Sequence, residues 1–121
     1  MNLQETELAI KQEKEKILYK REVECRDTFT ELLGKWQKSQ AIHQFLKDYE
    51  EKVLNEKGAI VPDSNEALLI EWAKDYAERL NPINNNSLSE LTEKIRHRLD
   101  EPNEKESYEY SELLWKLDFY K

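Results

Sequence analysis

The sequence predicts an all-α protein, in which a long charged N-terminal helix packs at its end on a small bundle of three to four shorter amphipathic helices. Three observations predict it. Apolar residues recur at spacings of three and four through most of the 121 residues. Polar capping patterns stand in front of several of these runs. Glycine occurs twice and proline three times, with no Asn-Gly or Asp-Gly pair, which leaves little support for hairpins or a sheet.

The first element opens at Asn2, a good N-cap, with Glu5 placed three residues on as its capping-box partner. A charged helix runs from there to about Leu33. Leu3, Ile10 and Ile17 recur every seventh residue, and Cys25, Phe29, Leu32 and Trp36 continue one residue out of phase. This is a narrow coiled-coil-like seam with a phase shift. Residues 11 to 16 are all Lys, Gln or Glu and offer nothing to bury, so the N-terminal half is expected to project or to pair with another chain. At Gly34 the helix either kinks or breaks. Ile42, Phe45, Leu46, Tyr49 and Val53 then mark a stripe at helical spacing, which stops at Gly58, a residue free to turn left-handed.

Asp63-Ser64-Asn65-Glu66 reads as a capping box, and Leu68, Leu69, Trp72, Ala73, Tyr76, Ala77 and Leu80 follow on one helical face. Asn81-Pro82 ends that helix, because a residue before proline resists helical dihedrals. Ser87-Leu88-Ser89-Glu90 opens a shorter helix with Leu88, Leu91, Ile95 and Leu99 inward, closed by Pro102. From Tyr108 to Tyr120 an aromatic-rich tail carries Leu113, Leu114 and Leu117, consistent with a last short helix. The expected organisation is a projecting helix over 1–35, a helical core over 36–101 and the tail over 102–121. Within the core, Trp36, Phe45, Leu69, Trp72 and Tyr76 are expected to meet.

Nineteen Lys and Arg stand against 26 Asp and Glu, for a net charge of −7. That balance disfavours broad attraction to a phosphate backbone, so a nucleic-acid partner is not expected. No apolar run approaches the ~20 residues that span a bilayer, and the acidic N-terminus is unlike a signal peptide. A single cysteine, Cys25, fits a reducing compartment, and a cytoplasmic location with no membrane contact is the expectation.

The segments Trp36-Gln37-Lys38-Ser39-Gln40-Ala41-Ile42-His43-Gln44-Phe45-Leu46 and Glu71-Trp72-Ala73-Lys74-Asp75-Tyr76-Ala77-Glu78-Arg79-Leu80-Asn81-Pro82-Ile83 resemble the C-terminal region of a group of uncharacterised bacterial proteins. In that group a charged coiled-coil stretch leads to a tryptophan and an Ile/Leu-x-x-Phe helix. A second helix carries Trp-Ala and ends in Ala-Asp-Arg-Leu-Asp-Pro-Leu or similar. Here Asn81 replaces the aspartate, and the tail after Asn84 has no counterpart. The resemblance reaches to about Ile83 and implies either a detached C-terminal module or a stand-alone relative. It brings no catalytic residue with it.

No residue set reads as a catalytic, cofactor or metal site. His43 and His97 lie in different helices without a zinc or di-iron spacing. Cys25 sits on the seam, where a buried thiol fits better than a nucleophile paired with His43. Lys94, Arg96, His97 and Arg98 form a basic cluster that could touch phosphates. Cations at the C-terminal end of a helix, meeting its negative pole, account for the same residues. The function expected is that of a non-catalytic module binding another protein or a second copy of itself, through Leu3, Ile10, Ile17, Tyr110, Trp115 and Phe119. The alternative is a small acidic inhibitor, from a mobile element, that covers a basic nucleic-acid-binding surface on its target. No cofactor is expected in either case.

Overall fold

In a computed structural model that describes residues 2–120, the heptad pattern of the N-terminal half carries on through Gly34. Helix α1 runs unbroken over Leu3–Lys57. It is followed by α2 (Asn65–Leu80), a 3₁₀ turn (Pro82–Asn84), α3 (Ser87–His97), a second 3₁₀ turn (Glu104–Glu106) and α4 (Tyr108–Phe119). Among the described residues there is no strand.

The buried positions of α1 explain how one helix accommodates so polar a sequence. Ile10, Ile17, Cys25, Leu32, Ser39, Leu46 and Val53 are each less than a tenth exposed. Their spacing is seven throughout, except for one step of eight between Ile17 and Cys25. That step is the phase shift visible in the sequence. One deeply buried residue per two turns is enough to anchor the helix while its remaining faces stay solvated. Gly34 falls between two seam residues and its Cβ position is open space, so the continuous helix costs only the ~1 kcal/mol of glycine's lower propensity.

The described residues form two compact units. One combines the chain up to Asp27 with the chain from Thr92 onward. Its core is Ile10, Ile17, Tyr110 and Leu113, flanked by Ala9, Leu114 and Leu117. This corrects the expectation that the N-terminal seam projects and awaits another chain. Helix α4 is amphipathic and lays Tyr110 and Leu113 along that seam, so Ile10, Ile17 and Tyr110 are core residues. Ser107 caps α4 by accepting from the Tyr110 amide (3.2 Å).

Arg21 fastens this unit. Its guanidinium forms a two-pronged ion pair with Glu106, donating through Nε (3.0 Å) and Nη2, and its Nη1 donates to three carbonyls: His97 (3.4 Å), Arg98 (3.3 Å) and Asp100 (2.6 Å). The last turn of α3 and the residues beyond it thus receive a cation where orphan carbonyls gather. Glu106 in turn completes a capping box with Asn103 on the second 3₁₀ turn. Lys14 pairs with Glu101, and Arg98 with Glu22 at 3.5 Å.

The other unit spans Thr28–Leu91. Here the C-terminal half of α1 and α2 form an antiparallel hairpin. Ion pairs and a hydrogen bond set its register: Lys57 to Glu66, Lys74 to Glu50 (3.0 Å) and the Ser39 hydroxyl to the Ala77 carbonyl (2.8 Å). Leu46, Ile70 and Ala73 make its core, with Ile42, Tyr49 and Ile60 against them. One cap differs from the expected pattern and the other follows it. Ser64 rather than Asp63 caps α2, accepting from the Ala67 amide at 3.2 Å, because Ser64 has the extended backbone of an N-cap (φ −71°, ψ 163°) while Asp63 lies at φ 62°. Gly58 takes the left-handed conformation (φ 77°), as its place after Lys57 requires. Helix α3 ends at His97, and of its expected inward residues only Leu91 is buried; Leu99 is exposed.

Candidate partner-binding face

The hairpin buries small residues and leaves its large aromatics outside. The α2 residues turned inward are Ile70, Ala73 and Ala77. Leu69, Trp72 and Tyr76 each precede one of these by a single position, which turns them about 100° around the helix. On α1, Phe45 stands in the same relation to buried Leu46. Because the helices are antiparallel, a turn of the same sense about each axis carries both sets to one side of the hairpin. Glu50 and Lys74, rotated the other way, meet on the opposite side, consistent with that geometry.

Trp72 is therefore 61% exposed and Phe45 60%, with Tyr76 and Leu69 near 40%. The expected core of Trp36, Phe45, Leu69, Trp72 and Tyr76 does not form. The physical reason is the pair of alanines. Ala73 and Ala77 let the helix backbones approach closely enough for the Ser39 hydroxyl to reach a main-chain carbonyl, and an indole in the seam would hold them apart. Outside, the rings order one another: Phe45 and Tyr49 stack with centroids 6.2 Å apart, and Trp72 and Tyr76 with centroids 5.6 Å apart. The result is a two-helix-wide apolar face of Ile42, Phe45, Tyr49, Leu69, Trp72 and Tyr76.

Elsewhere in this unit Phe29, Leu33, Trp36, Pro82, Ile83 and Leu88 line a cavity of about 290 Å³ with almost no polar surface. Asn81 shapes its edge by capping the 3₁₀ turn that carries Pro82 and Ile83, accepting from the Ile83 amide at 3.0 Å. In the first unit, Leu3, Trp115 and Phe119 are exposed, Phe119 to 82%. Of the six residues that the sequence offers to a partner on the N-terminal helix and the tail, Ile10, Ile17 and Tyr110 lie in a core, and none belongs to the aromatic face of the hairpin. The signal was present in the alanines at i and i+4, one position past the aromatics.

The basic cluster of α3 is engaged locally. Arg96 pairs with Glu93 (3.2 Å), and Arg98 donates to the Ile95 carbonyl (2.6 Å) besides pairing with Glu22. The His97 ring lies between two carboxylates, Nδ1 on Asp100 (2.6 Å) and Nε2 on Glu93 (2.7 Å). Both nitrogens can donate only when the ring is charged, and the hydrogen bonds to Asp100 and then Glu93 raise its pKa above the ordinary 6.5. Lys94 sits with Arg21, Glu24, Cys25, His97 and Arg98 around a small cavity of about 160 Å³. Cys25 is buried there, and His43 belongs to the other unit. Among the described residues no group of three or more His, Cys, Asp or Glu is placed to hold a metal ion.

No protein family, curated protein or solved structure matches this chain.

Proposed function

We propose that this protein is a non-catalytic helical interaction module, and that the aromatic face of the α1–α2 hairpin is where it holds another protein chain. The exposure of Phe45, Leu69, Trp72 and Tyr76 on one side of a well-packed hairpin carries this reading. Soluble chains seldom leave a continuous aromatic face to water, and rigid aromatics at the centre of an interface supply most of its binding energy. The mixed charges around the face, Asp48, Lys52, Asp75 and Arg79 among them, suit the polar rim of a protein interface better than a phosphate backbone. No helix among the described residues is long and apolar enough to cross a membrane.

The test is affinity capture from the native host with the wild-type chain and with Trp72→Glu. Because Trp72 is mostly exposed, the variant keeps its helicity. The expected result is a protein retained by the wild type and lost from the variant. An identical set of proteins retained by both would remove this face from the account.

A further inference from the structure

The aromatic face is self-complementary, and we infer that its occupant is a second copy of this chain, packed face to face about a two-fold axis. This deepens the reading just given and rests on it. Along α1 the residues on this face are Lys38, Ile42, Phe45, Tyr49, Lys52 and Glu56. Their steps of four, three, four, three and four are symmetric about position 47. An antiparallel copy of the helix crossing there sets Phe45 against Tyr49 of the second copy, and Lys38 against its Glu56. Along α2 the same steps through Leu69, Trp72, Tyr76 and Arg79 centre on position 74. There Trp72 meets Tyr76 of the second copy, and the aliphatic stem of Arg79 covers its Leu69.

One axis must serve both helices, and the hairpin register allows it. Leu46 packs on Ile70 and Ala73, and Glu50 pairs with Lys74, so positions 47 and 74 lie within a turn of the same level. A single two-fold lying in the interface, perpendicular to the helices, therefore superposes both aromatic pairs reciprocally. This is the isologous contact of a closed dimer, and it produces a four-helix arrangement from two hairpins. The four aromatics present on the order of 400 Å². With Ile42, Leu69 and the stems of Lys38, Lys52 and Arg79, the face approaches the ~800 Å² that each partner contributes to a standard interface. The Lys38–Glu56 pairing occurs twice in such a dimer and sets its register.

Sedimentation equilibrium on the full chain tests this. The wild type is expected to be a concentration-dependent dimer. Trp72→Glu and, on the other helix, Phe45→Glu are expected to be monomers with unchanged circular dichroism. Lys38→Glu places like charges opposite Glu56 and weakens the dimer about tenfold, and Lys38→Glu with Glu56→Lys restores it. A dimer that survives both aromatic substitutions overturns the inference. So does one that the aromatic substitutions abolish but the double charge exchange fails to restore, because the two-fold would then be wrong. A wild-type monomer up to millimolar concentration also overturns it. In that case the capture experiment separates the claims: a Trp72-dependent partner leaves the interaction reading standing, and its absence ends both.

Discussion

Replacing Arg21 with alanine should loosen one unit of this protein and leave the other intact. The guanidinium is about four-fifths covered, as its side chain is 18% exposed and that of Glu106 26%. Its loss removes a two-pronged ion pair and the donor shared by three carbonyls at and beyond the end of α3. Hydrogen bonds involving a charged group contribute ~1.5–3 kcal/mol, and the carbonyls regain water once the side chain is gone. The expected cost is therefore about 2–3 kcal/mol, a large share of the ~5–15 kcal/mol that holds a small domain. Arg21→Lys keeps the charge but not the fork, and should cost roughly half as much. Thermal unfolding followed by circular dichroism should fall by about 10 °C for the alanine variant. Hydrogen exchange locates the effect: amides of α4 and of the end of α3 should lose protection, while those of α2 keep it. A melting shift within a degree or two would show that Arg21's contacts contribute nothing, and uniform loss of protection would show that they do not act on this unit alone.

Other expectations follow from burial and charge. Leu46 is 1% exposed, so Leu46→Ala should cost ~2–5 kcal/mol, whereas Trp72→Ala should cost about 1 kcal/mol; matched urea titrations check the contrast. Ser39→Ala removes one of two donors to the buried Ala77 carbonyl, which keeps the Asn81 amide at 3.1 Å, and should cost ~0.5–1.5 kcal/mol by the same assay. For His97 the folded pKa is raised, so its contribution is fully present below the unfolded value near 6.5 and is lost as pH rises through the folded one. The melting temperature should be slightly higher at pH 6 than at pH 9, with that difference shrinking in His97→Gln; the effect is small because the ring is more than half exposed.

Helical class and most element ends could be read from the sequence because they depend on local chemistry. Asn2, Gly58 and the Asn81-Pro82 step act through the backbone of their own turn, and each works as its residue type implies. The heptad and its phase shift at Ile17–Cys25 were visible for the same reason, since periodicity is a property of one helix. What could not be read was which side of a stripe faces inward. Leu69-Trp72-Tyr76 and Ile70-Ala73-Ala77 are two candidate seams one residue apart, and hydrophobicity favours the wrong one. The choice was made by close helix approach and by a polar residue, Ser39, that hydropathy places outside. The same limit hid the docking of α4 on Ile10 and Ile17. It also hid Arg21, whose partners lie 76 to 85 residues away and share no pattern with it.

Hydroxyl-radical oxidation at Phe45, Trp72 and Tyr76 tests the central claim most directly, because one readout reports exposure and its loss on binding. In dilute isolated protein these side chains should react like exposed aromatics, and Tyr110, which is 2% exposed, should be protected. Adding the partner, whether a captured protein or a high concentration of the chain itself, should slow oxidation of all three together while Trp115 and Phe119 stay reactive. Slow oxidation of Trp72 in the dilute chain would mean that the face is covered within the fold. Rapid oxidation that no partner slows would mean that it binds nothing.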